Sequence, residues 1–108
     1  MKITISGDIG SGKSTVAKLL CKDLKLEYYS TGRMFRRIAL DMNLSLQELT
    51  ELSEKDERID KRIDHYQKKL GEMQDDFVLE GRLGWYFVQD SVKVYLKVEP
   101  REGARRIL

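Results

Sequence analysis

The sequence predicts an α/β fold in which a parallel sheet is flanked by helices. Strand and helix patterns alternate along the 108 residues, and such alternation is typical of parallel strands joined by right-handed helical connections. A glycine-rich stretch, "GDIGSGKST", lies directly between the first strand pattern and the first helix pattern. We expect a single domain over residues 1–108, because a chain of this length can bury one modest core.

Hydrophobic periodicity places the first three elements. "KITISG", residues 2–7, alternates apolar and polar side chains, which is a strand pattern. "KSTVAKLLCKDL" follows with apolar residues at helical spacing, namely Val16, Leu19, Leu20 and Leu24. "LEYYS", residues 26–30, is predicted to form a short second strand.

Three helices are predicted between the second and third strands. The first is "TGRMFRRIALDM", in which Met34, Ile38 and Met42 share a face. The second begins at Ser45, because Glu48 follows at the spacing of a capping box. The third runs from Asp56 to about Met73 and is amphipathic, since apolar residues recur every three or four positions at Ile59, Ile63, Tyr66, Leu70 and Met73.

The last two strands follow the charged helix. "DFVLEG", residues 76–81, has the apolar run of a buried strand. "DSVKVYLKV" alternates apolar residues with Lys93, Tyr95 and Lys97, so a fourth strand is predicted over residues 92–98.

Composition excludes several classes of partner. The formal net charge of +2 is too small to attract nucleic acid or an anionic membrane by bulk charge. Cys21 is the single cysteine, so we expect no internal disulfide and interpret this residue as part of the core. The sequence shows no signal-peptide pattern and no apolar run of membrane-spanning length. A cytoplasmic protein is therefore predicted.

The glycine-rich stretch matches the phosphate-binding pattern G-x-x-x-x-G-K-[ST]. Glycines let successive backbone N–H groups converge on one anion, and the following helix adds its positive dipole end. Lys13 can then reach the β- and γ-phosphates of a nucleotide, Ser14 can ligate Mg²⁺, and Thr15 lies near the α-phosphate. The candidate binding residues are Gly7, Asp8, Ile9, Gly10, Ser11, Gly12, Lys13, Ser14 and Thr15. The alternative is a glycine-rich turn without a ligand.

One member of this loop is unfavourable for such a ligand. The carboxylate of Asp8 would repel a polyphosphate, so we expect its side chain to point away. The pattern indicates a nucleotide phosphate but does not define the reaction. A GTPase is disfavoured, because the sequence lacks the D-x-x-G and N-K-x-D motifs.

A second group of candidates opens the helix after the second strand, in "YYSTGRMFRR". Ser30, Thr31 and Gly32 supply hydroxyl groups and a tight turn. Three arginines follow within about one helical turn, at Arg33, Arg36 and Arg37. One guanidinium group can donate two parallel hydrogen bonds to one phosphate group, so the arginines favour a second phosphate site. The alternative is a set of solvated arginines on an exposed helix face.

A third group follows the third strand, in "LEGRLGWYF". Side chains at the carboxyl ends of parallel strands face the ligand crevice, so Glu80 and Arg82 should lie beside the glycine-rich loop. Glu80 is placed to hold Mg²⁺, through water, and Arg82 to contact an anion, although the two could instead form a salt bridge. We interpret Trp85, Tyr86 and Phe87 as core or lid packing rather than base-stacking groups.

Together these segments resemble the cytidylate kinases, particularly the short archaeal-type branch of the nucleoside monophosphate kinases. The resemblance rests on "ITISGDIGSGKST", "YYSTGRMFR", "VLEGRLGWYF" and "VKVYLKVEP", in this order, and on "RIDKRIDHYQKKLG" as the acceptor-side helix. It implies a three-layer P-loop NTPase fold with strand order 2-3-1-4. The helices over about residues 31–73 would then bind the acceptor.

The resemblance also implies roles for particular residues. Gly12, Lys13, Ser14 and Thr15 would hold the phosphates of ATP, with Mg²⁺ as the metal. Arg36 and Arg82 would grip the acceptor phosphate and, with Lys13, carry catalysis. Ser30, Thr31 and Gly32 would form the acceptor turn. The sequence departs from the family pattern at Asp8, where proline is common, and at Arg33, where an acidic residue is common.

Related kinases continue into an arginine-bearing lid, a fifth strand and a segment around the adenine. These parts have no counterpart in the 108 residues, so we expect this chain alone to bind nucleotide phosphates but to transfer phosphoryl groups poorly. Without a fifth strand the fourth would be an exposed edge, and exposed edges favour pairing with another chain. Self-association through the fourth strand is therefore expected.

The function that the resemblance implies is phosphoryl transfer from MgATP to CMP or dCMP. One alternative is a nucleotide-binding fragment or regulatory module without turnover, and another is a related small-molecule kinase. Asp60 and Asp64, one helical turn apart, are candidates for base recognition; otherwise they belong to an exposed acidic face.

Overall fold

The computed structural model describes residues 1–8 and 10–97. Its strands are β1 (Lys2–Gly7), β2 (Glu27–Ser30), β3 (Phe77–Glu80) and β4 (Val92–Leu96). Its helices are α1 (Lys13–Leu24), α2 (Thr31–Asp41), α3 (Leu46–Lys55), α4 (Glu57–Met73) and α5 (Gly84–Phe87). The strands form one parallel sheet in the order β2-β3-β1-β4. The α/β class and the strand order are thereby confirmed.

The register of the sheet brings the carboxyl ends of the strands to a common edge. Glu80, the last residue of β3, pairs with Ser30 at the end of β2 and with Ile5 near the end of β1. Gly7 pairs in turn with Leu96, the last residue of β4. The segments that follow β1, β2 and β3 therefore begin side by side.

Side chains on the two faces of the sheet pack against different helices, since successive residues of a strand point to opposite faces. One face packs against α1, through Ile3, Ile5, Ala17 and Val78. The other face packs with α4 and the segment after α5, through Leu70, Phe77, Leu79 and Val88. A third cluster joins α2, α3 and α4, through Ile38, Ala39, Leu49 and Ile59. The sheet is thus the middle of three layers.

Side-chain caps fix where the middle helices begin. The Ser45 hydroxyl accepts a hydrogen bond from the Glu48 N–H, and the Glu48 carboxylate accepts one from the Ser45 N–H, which confirms the predicted capping box. Ser30 caps α2 by accepting from the Arg33 N–H at 3.1 Å. The caps satisfy backbone donors that the first helical turn leaves without partners.

The predicted face of α4 was partly wrong. Tyr66 and Met73 are 38% and 76% exposed, whereas Gln67 is 2% exposed. The Arg62 guanidinium donates to the Tyr66 hydroxyl at 3.1 Å and stacks on its ring, so Tyr66 belongs to the solvent face. The buried face runs through Ile59, Gln67 and Leu70, and a polar residue occupies one of its positions.

Smaller differences occur elsewhere. On α1, Leu19 and Leu24 are half exposed, because the buried face follows Ala17 and its neighbours. Met42 is the residue after α2 and is exposed. Strand β3 begins at Phe77, because Asp76 has a left-handed φ of 58° that a strand does not accommodate. Val98, the last residue of the predicted fourth strand, lies outside the described residues.

Candidate functional site

The predicted phosphate-binding loop connects β1 to α1 in a tight turn. Gly10 and Gly12 have φ values of 79° and 80°, a left-handed backbone that favours glycine. The Ser11 N–H donates to the Asp8 carbonyl oxygen at 3.1 Å, which closes the turn. Ile9 lies outside the described residues.

The donors of this loop are arranged to receive an anion. No side chain caps α1, whose N-cap residue is Gly12, so the N–H groups of its first turn are available to a ligand. The Ser11 hydroxyl is buried and has no hydrogen-bond partner among the described residues. Lys13 is half buried at the start of the helix. A phosphate group fits these donors, since it offers several acceptor oxygens at once.

The Asp8 side chain is bound by a tyrosine of β4, and Asp8 also lines an opening at the loop. That its carboxylate points away from a bound ligand stays a prediction. The Tyr95 hydroxyl donates to its carboxylate at 2.6 Å, and the Asp8 N–H donates to the Leu96 carbonyl oxygen at 3.0 Å. The hydrogen bond to Asp8 is the main cause of a raised pKa at Tyr95. The start of the loop is thus fastened to the end of β4.

Glu80 and Ser14, the two predicted Mg²⁺ residues, lie together. The Ser14 hydroxyl donates to Glu80 Oε1 at 2.5 Å, and the Tyr28 hydroxyl donates to Glu80 Oε2 at 2.8 Å. The carboxylate is 8% exposed, so both hydroxyl groups compensate its burial. Burial, followed by the bond to Glu80, raises the pKa of Tyr28.

These two residues fit a magnesium ion that takes its other ligands elsewhere. The described part of the chain contains no group of three His, Cys, Asp or Glu side chains that could hold a metal. Mg²⁺ is commonly bound by one or two protein ligands together with substrate phosphates and water. The hydroxyl of Ser14 and the carboxylate of Glu80, beside the loop, are suited to that arrangement.

The three arginines of α2 separate in the structure. The Arg33 guanidinium lies 4.6 Å from the centre of the Tyr28 ring, which places it over that ring. Arg36 Nε donates to the Gly32 carbonyl oxygen at 3.3 Å. Arg37 pairs with Asp41 at 3.4 Å on an exposed part of the helix. Arg36 is thus the member of the set that folds back towards the helix start.

A cavity of about 490 Å³ lies beside the start of α2, and we call it the α2–α4 cavity. Helix α2 contributes Thr31, Gly32 and Phe35 to its lining. Helix α4 contributes Asp60, Ile63, Asp64 and Gln67. Arg82 and Leu83, which follow β3, complete it. The predicted residues Thr31, Gly32 and Arg82 are therefore brought together.

Arg82 also lines a second opening, which we call the loop cleft. Its other lining residues are Ser6, Gly7, Asp8 and Tyr95. Arg82, an exposed residue, thus lies between the α2–α4 cavity and the start of the glycine-rich loop. Glu80 accepts from hydroxyl groups, and among the described residues no ion pair joins it to Arg82.

Gly81 fixes the position of the α2 start. A Cβ atom at Gly81 would lie 2.6 Å from Thr31 Cγ2, closer than such atoms approach. Helix α5 begins three residues further on, at Gly84, and Trp85 Nε1 donates to the Arg82 carbonyl oxygen at 3.2 Å. Trp85 and Tyr86 are about half exposed, so neither belongs to the core. Lid packing, the other part of that interpretation, stays a prediction.

Gln67 is a cavity residue that the sequence interpretation missed. It is buried, and its Oε1 atom has no hydrogen-bond partner among the described residues. The available signal was its spacing of four residues from Ile63, on the apolar stripe of α4. One turn earlier, burial and then the charge of Asp60 raise the pKa of Asp64.

The parallel sheet, the glycine-rich loop and the helix after it define a P-loop kinase fold. Solved structures with this fold include shikimate kinase from Aquifex aeolicus, with a TM-score of 0.69 and 21% identity, covering 94% of this chain and 62% of that one. Shikimate kinase from Acinetobacter baumannii in complex with shikimate gives a TM-score of 0.71 and 20% identity, covering 97% and 60%. At this identity the likeness concerns the fold alone.

The chain belongs to the cytidylate kinase-like family, whose model matches residues 2–107. Cytidylate kinase from Archaeoglobus fulgidus is 39% identical over 99% of this chain and 60% of its own length. Cytidylate kinases from Sulfolobus acidocaldarius and Halobacterium salinarum are 43% and 44% identical over 99% of this chain, and 60% and 57% of their own lengths. The chain thus spans about three fifths of these relatives.

Proposed function

We propose that these residues form the phosphate-binding core and acceptor side of a cytidylate kinase, which transfers a phosphoryl group from MgATP to CMP or dCMP. The observation that carries the proposal is the position of Arg82. Arg82 is exposed and lines both the loop cleft and the α2–α4 cavity, so a donor on the loop and an acceptor in the cavity would meet beside this residue. The relatives named as cytidylate kinases support the choice of acceptor.

The proposed chemistry depends on charge more than on proton transfer. A nucleoside monophosphate is already an anionic nucleophile, so the reaction needs no strong general base. The difficulty is to bring two anions together in line. Lys13 and the loop N–H groups would bind the donor phosphates, while Arg82 and Arg36 would bind the acceptor phosphate. These cations would also stabilise charge that develops on the transferred group.

The metal is assigned to residues beside the loop. Ser14 would ligate Mg²⁺ directly, and Glu80 would hold the ion through water while fixing the Ser14 hydroxyl. When bound, Mg²⁺ supplies positive charge to the donor phosphates. Tyr28 supports this arrangement, because its hydroxyl orients the second oxygen of the Glu80 carboxylate.

The proposal extends to two further properties that the sequence predicts. Pairing through β4 is proposed, because within the described residues this strand pairs on one side with β1 and presents half-exposed Val92 and Tyr95. In the described part of the chain, no helix has the length and apolar character needed to cross a membrane. The cytoplasmic location stays a prediction.

Turnover with a panel of acceptors tests the proposal. ATP is offered with CMP, dCMP, UMP or AMP to this chain and to a version extended through a lid, and the release of ADP is measured. We expect CMP-dependent release from the extended version and much slower release from this chain, since an arginine in a lid is worth roughly 10³–10⁵ in rate. No CMP-dependent release from the extended version would contradict the proposed function. Equal rates would contradict the need for a lid.

A further inference from the structure

Gln67 is a buried polar residue whose presence packing alone does not explain. Its side chain is 2% exposed, it lines the α2–α4 cavity, and its Oε1 atom has no hydrogen-bond partner among the described residues. A buried amide oxygen without a donor destabilises the folded chain, whereas an apolar side chain would fill the same space without that penalty. A donor group on a ligand in the cavity would satisfy the oxygen.

The hydrogen-bonding pattern of an amide identifies the ligand edge that fits. A glutamine side chain presents one acceptor, Oε1, beside a nitrogen with two donors, Nε2. Cytosine presents the complementary pair, with its amino group N4 as donor and its ring atom N3 as acceptor. The unpaired Oε1 would accept from N4 while Nε2 donates to N3.

Asp64 adds a preference that the amide lacks. An amide can turn over and exchange its donor and acceptor, so Gln67 alone could pair with cytosine or uracil. An ionised carboxylate only accepts. Asp64 lies one turn before Gln67 on α4 and lines the same cavity. Its oxygens would attract the second N4 hydrogen of cytosine and repel the carbonyl oxygen that uracil carries at that position.

The remaining walls suit a flat ring. Phe35, Ile63 and Leu83 line the cavity with apolar surface, and bases taken out of a stack are commonly held between aromatic or apolar side chains. Arg82 and the first residues of α2 also line it. The cavity therefore has two kinds of polar lining. Arg82 and the Thr31 hydroxyl are suited to a phosphate, and Asp64 and Gln67 of α4 are suited to the polar edge of a base.

We propose that Gln67 and Asp64 recognise the hydrogen-bonding edge of the acceptor base and select cytosine over uracil. This assignment rests on the proposed function, because it concerns the base end of the same acceptor site. Adenine presents the same combination of an amino group and an unprotonated ring nitrogen. The two residues therefore select the edge of the base and not the size of its ring.

The first test removes the amide and keeps the side-chain length. CMP, UMP and ribose 5-phosphate are titrated calorimetrically into the parent chain, Gln67→Met and the control Gln47→Met, which changes an exposed residue of α3. We expect Gln67→Met to weaken CMP binding by roughly 5- to 150-fold, the range for unsatisfied polar groups. Affinity for ribose 5-phosphate and for ATP should not change, and neither should any affinity of the control.

The second test replaces the Asp64 carboxylate, which only accepts hydrogen bonds, with an amide that can also donate them. In Asp64→Asn the amide can donate to uracil, so the ratio of CMP to UMP affinity should fall, mainly through tighter UMP binding. Ribose 5-phosphate again reports the phosphate end of the site. A ratio equal to that of the parent would overturn the role of Asp64.

Other outcomes separate this inference from the function on which it rests. Unchanged CMP affinity in Gln67→Met would overturn the inference alone. Equal weakening of CMP, UMP and ribose 5-phosphate would also overturn it, because Gln67 would then act on the shape of the cavity. A parent chain that binds ATP but neither CMP nor ribose 5-phosphate would overturn the proposed function together with the inference.

Discussion

At the scale of single residues, hydroxyl groups connect the ends of the strands. Ser14 from α1 and Tyr28 from β2 both donate to Glu80 at the end of β3, and Tyr95 from β4 donates to Asp8 after β1. Each of these hydrogen bonds joins two different elements at the carboxyl edge of the sheet. Two carboxylates near the proposed phosphate site are thereby held by neutral donors. Among the described residues, Lys13 and Arg82 form no ion pair.

Lys13→Ala should abolish tight binding of a triphosphate without unfolding the chain. The side chain lies at the loop, outside the three apolar clusters, so its loss removes a charge-assisted contact and little packing. We expect ATP affinity to fall roughly 10- to 150-fold, as for one hydrogen bond to a charged group. Calorimetry measures the affinity, and Lys22→Ala, at the exposed end of α1, is the matched control. Equal ATP affinity in mutant and parent would refute the loop assignment.

Arg82→Ala should weaken the acceptor more than the donor. Arg82 lines the α2–α4 cavity with Thr31 and Gly32, where we propose that the acceptor binds, whereas ATP would retain Lys13 and the loop N–H groups. The measurements are separate titrations with CMP and ATP. Arg37→Ala is the control, since Arg37 is exposed and forms an ion pair with Asp41 in the same helix, α2. A larger loss for ATP would require the two sites to be exchanged.

Tyr28 should make stability depend on alkaline pH. Its pKa is raised above the ordinary value of 10.0, first by burial and then by the bond to Glu80. The folded chain therefore holds this proton more tightly than the unfolded chain does. The contribution is fully present below pH 10 and is lost as the pH rises through the folded value. Urea denaturation should show a steeper loss between pH 9 and about 11 for the parent than for Tyr28→Phe, and equal slopes would contradict this.

The candidate residues that the sequence predicted are those with a chemical signature. Lys13, Ser14, Glu80 and Arg82 were proposed because a loop pattern and strand ends indicate where ligands bind, and their roles stay predictions. Gln67 was missed, because a glutamine within a charged helix has no distinguishing pattern until its burial is known. The separation of Arg33 from Arg36 was also beyond prediction, since it depends on the ring of Tyr28 in another element.

At the scale of elements, close backbone contacts decide where the site segments lie. Gly81 lets the chain after β3 pass against Thr31, the first residue of α2. Gly7 plays a similar part beside β4, because a Cβ atom there would clash with the Leu96 carbonyl oxygen. Both glycines are needed because neighbouring segments approach their Cα atoms too closely for a side chain. Neither has a positive φ.

Gly81→Ala should destabilise the chain and disturb the acceptor side. The added methyl group would meet Thr31 Cγ2 at 2.6 Å, and Thr31 is β-branched and stiff. We expect a loss of about 1–3 kcal/mol in the free energy of unfolding, as for overpacking, together with weaker CMP binding. Denaturant unfolding measures the first effect. Thr31→Ser in the same background removes the closest atom and should restore part of the loss.

Gly32→Ala is the matched control for stability. A Cβ atom at Gly32 would meet nothing closer than 3.6 Å, so it should cause no overpacking. If Gly81→Ala were as stable as Gly32→Ala, the contact with Thr31 would not constrain the start of α2.

Element boundaries were predicted well where a local signal marks them. The capping box at Ser45 and the glycine at the end of β1 gave the correct positions. The start of β3 was placed one residue early, because the left-handed backbone of Asp76 has no sequence signature. The short helix α5 was not foreseen, since the aromatic run "WYF" is compatible with several conformations.

At the scale of the whole molecule, the sheet order leaves β4 at an edge within the described residues. Val92 and Tyr95, on opposite faces of this strand, are 56% and 63% exposed. Lys93 lies between them in sequence, and charged residues on an edge reduce pairing with other chains. The edge is therefore able to pair, although it is partly protected by charge.

We expect the chain to self-associate through this edge. Sedimentation velocity over a range of concentrations should show a rising average mass for the parent. Val92→Lys should reduce association, because it adds a second charge at the edge. The control Leu40→Lys changes an exposed leucine of α2 and should associate like the parent. A parent that stays monomeric at high concentration, with β4 amides that exchange freely, would count against pairing.

Trp85 gives the site an optical consequence. It is the single tryptophan of the chain, it is 45% exposed, and its indole donates to the backbone of Arg82. Indole emission depends on the polarity and charge around the ring, so an anion that draws Arg82 towards a ligand also alters the surroundings of the fluorophore. We therefore expect occupancy of the proposed acceptor site to change the fluorescence of the unlabelled protein, so that binding could be followed in real time and at low concentration.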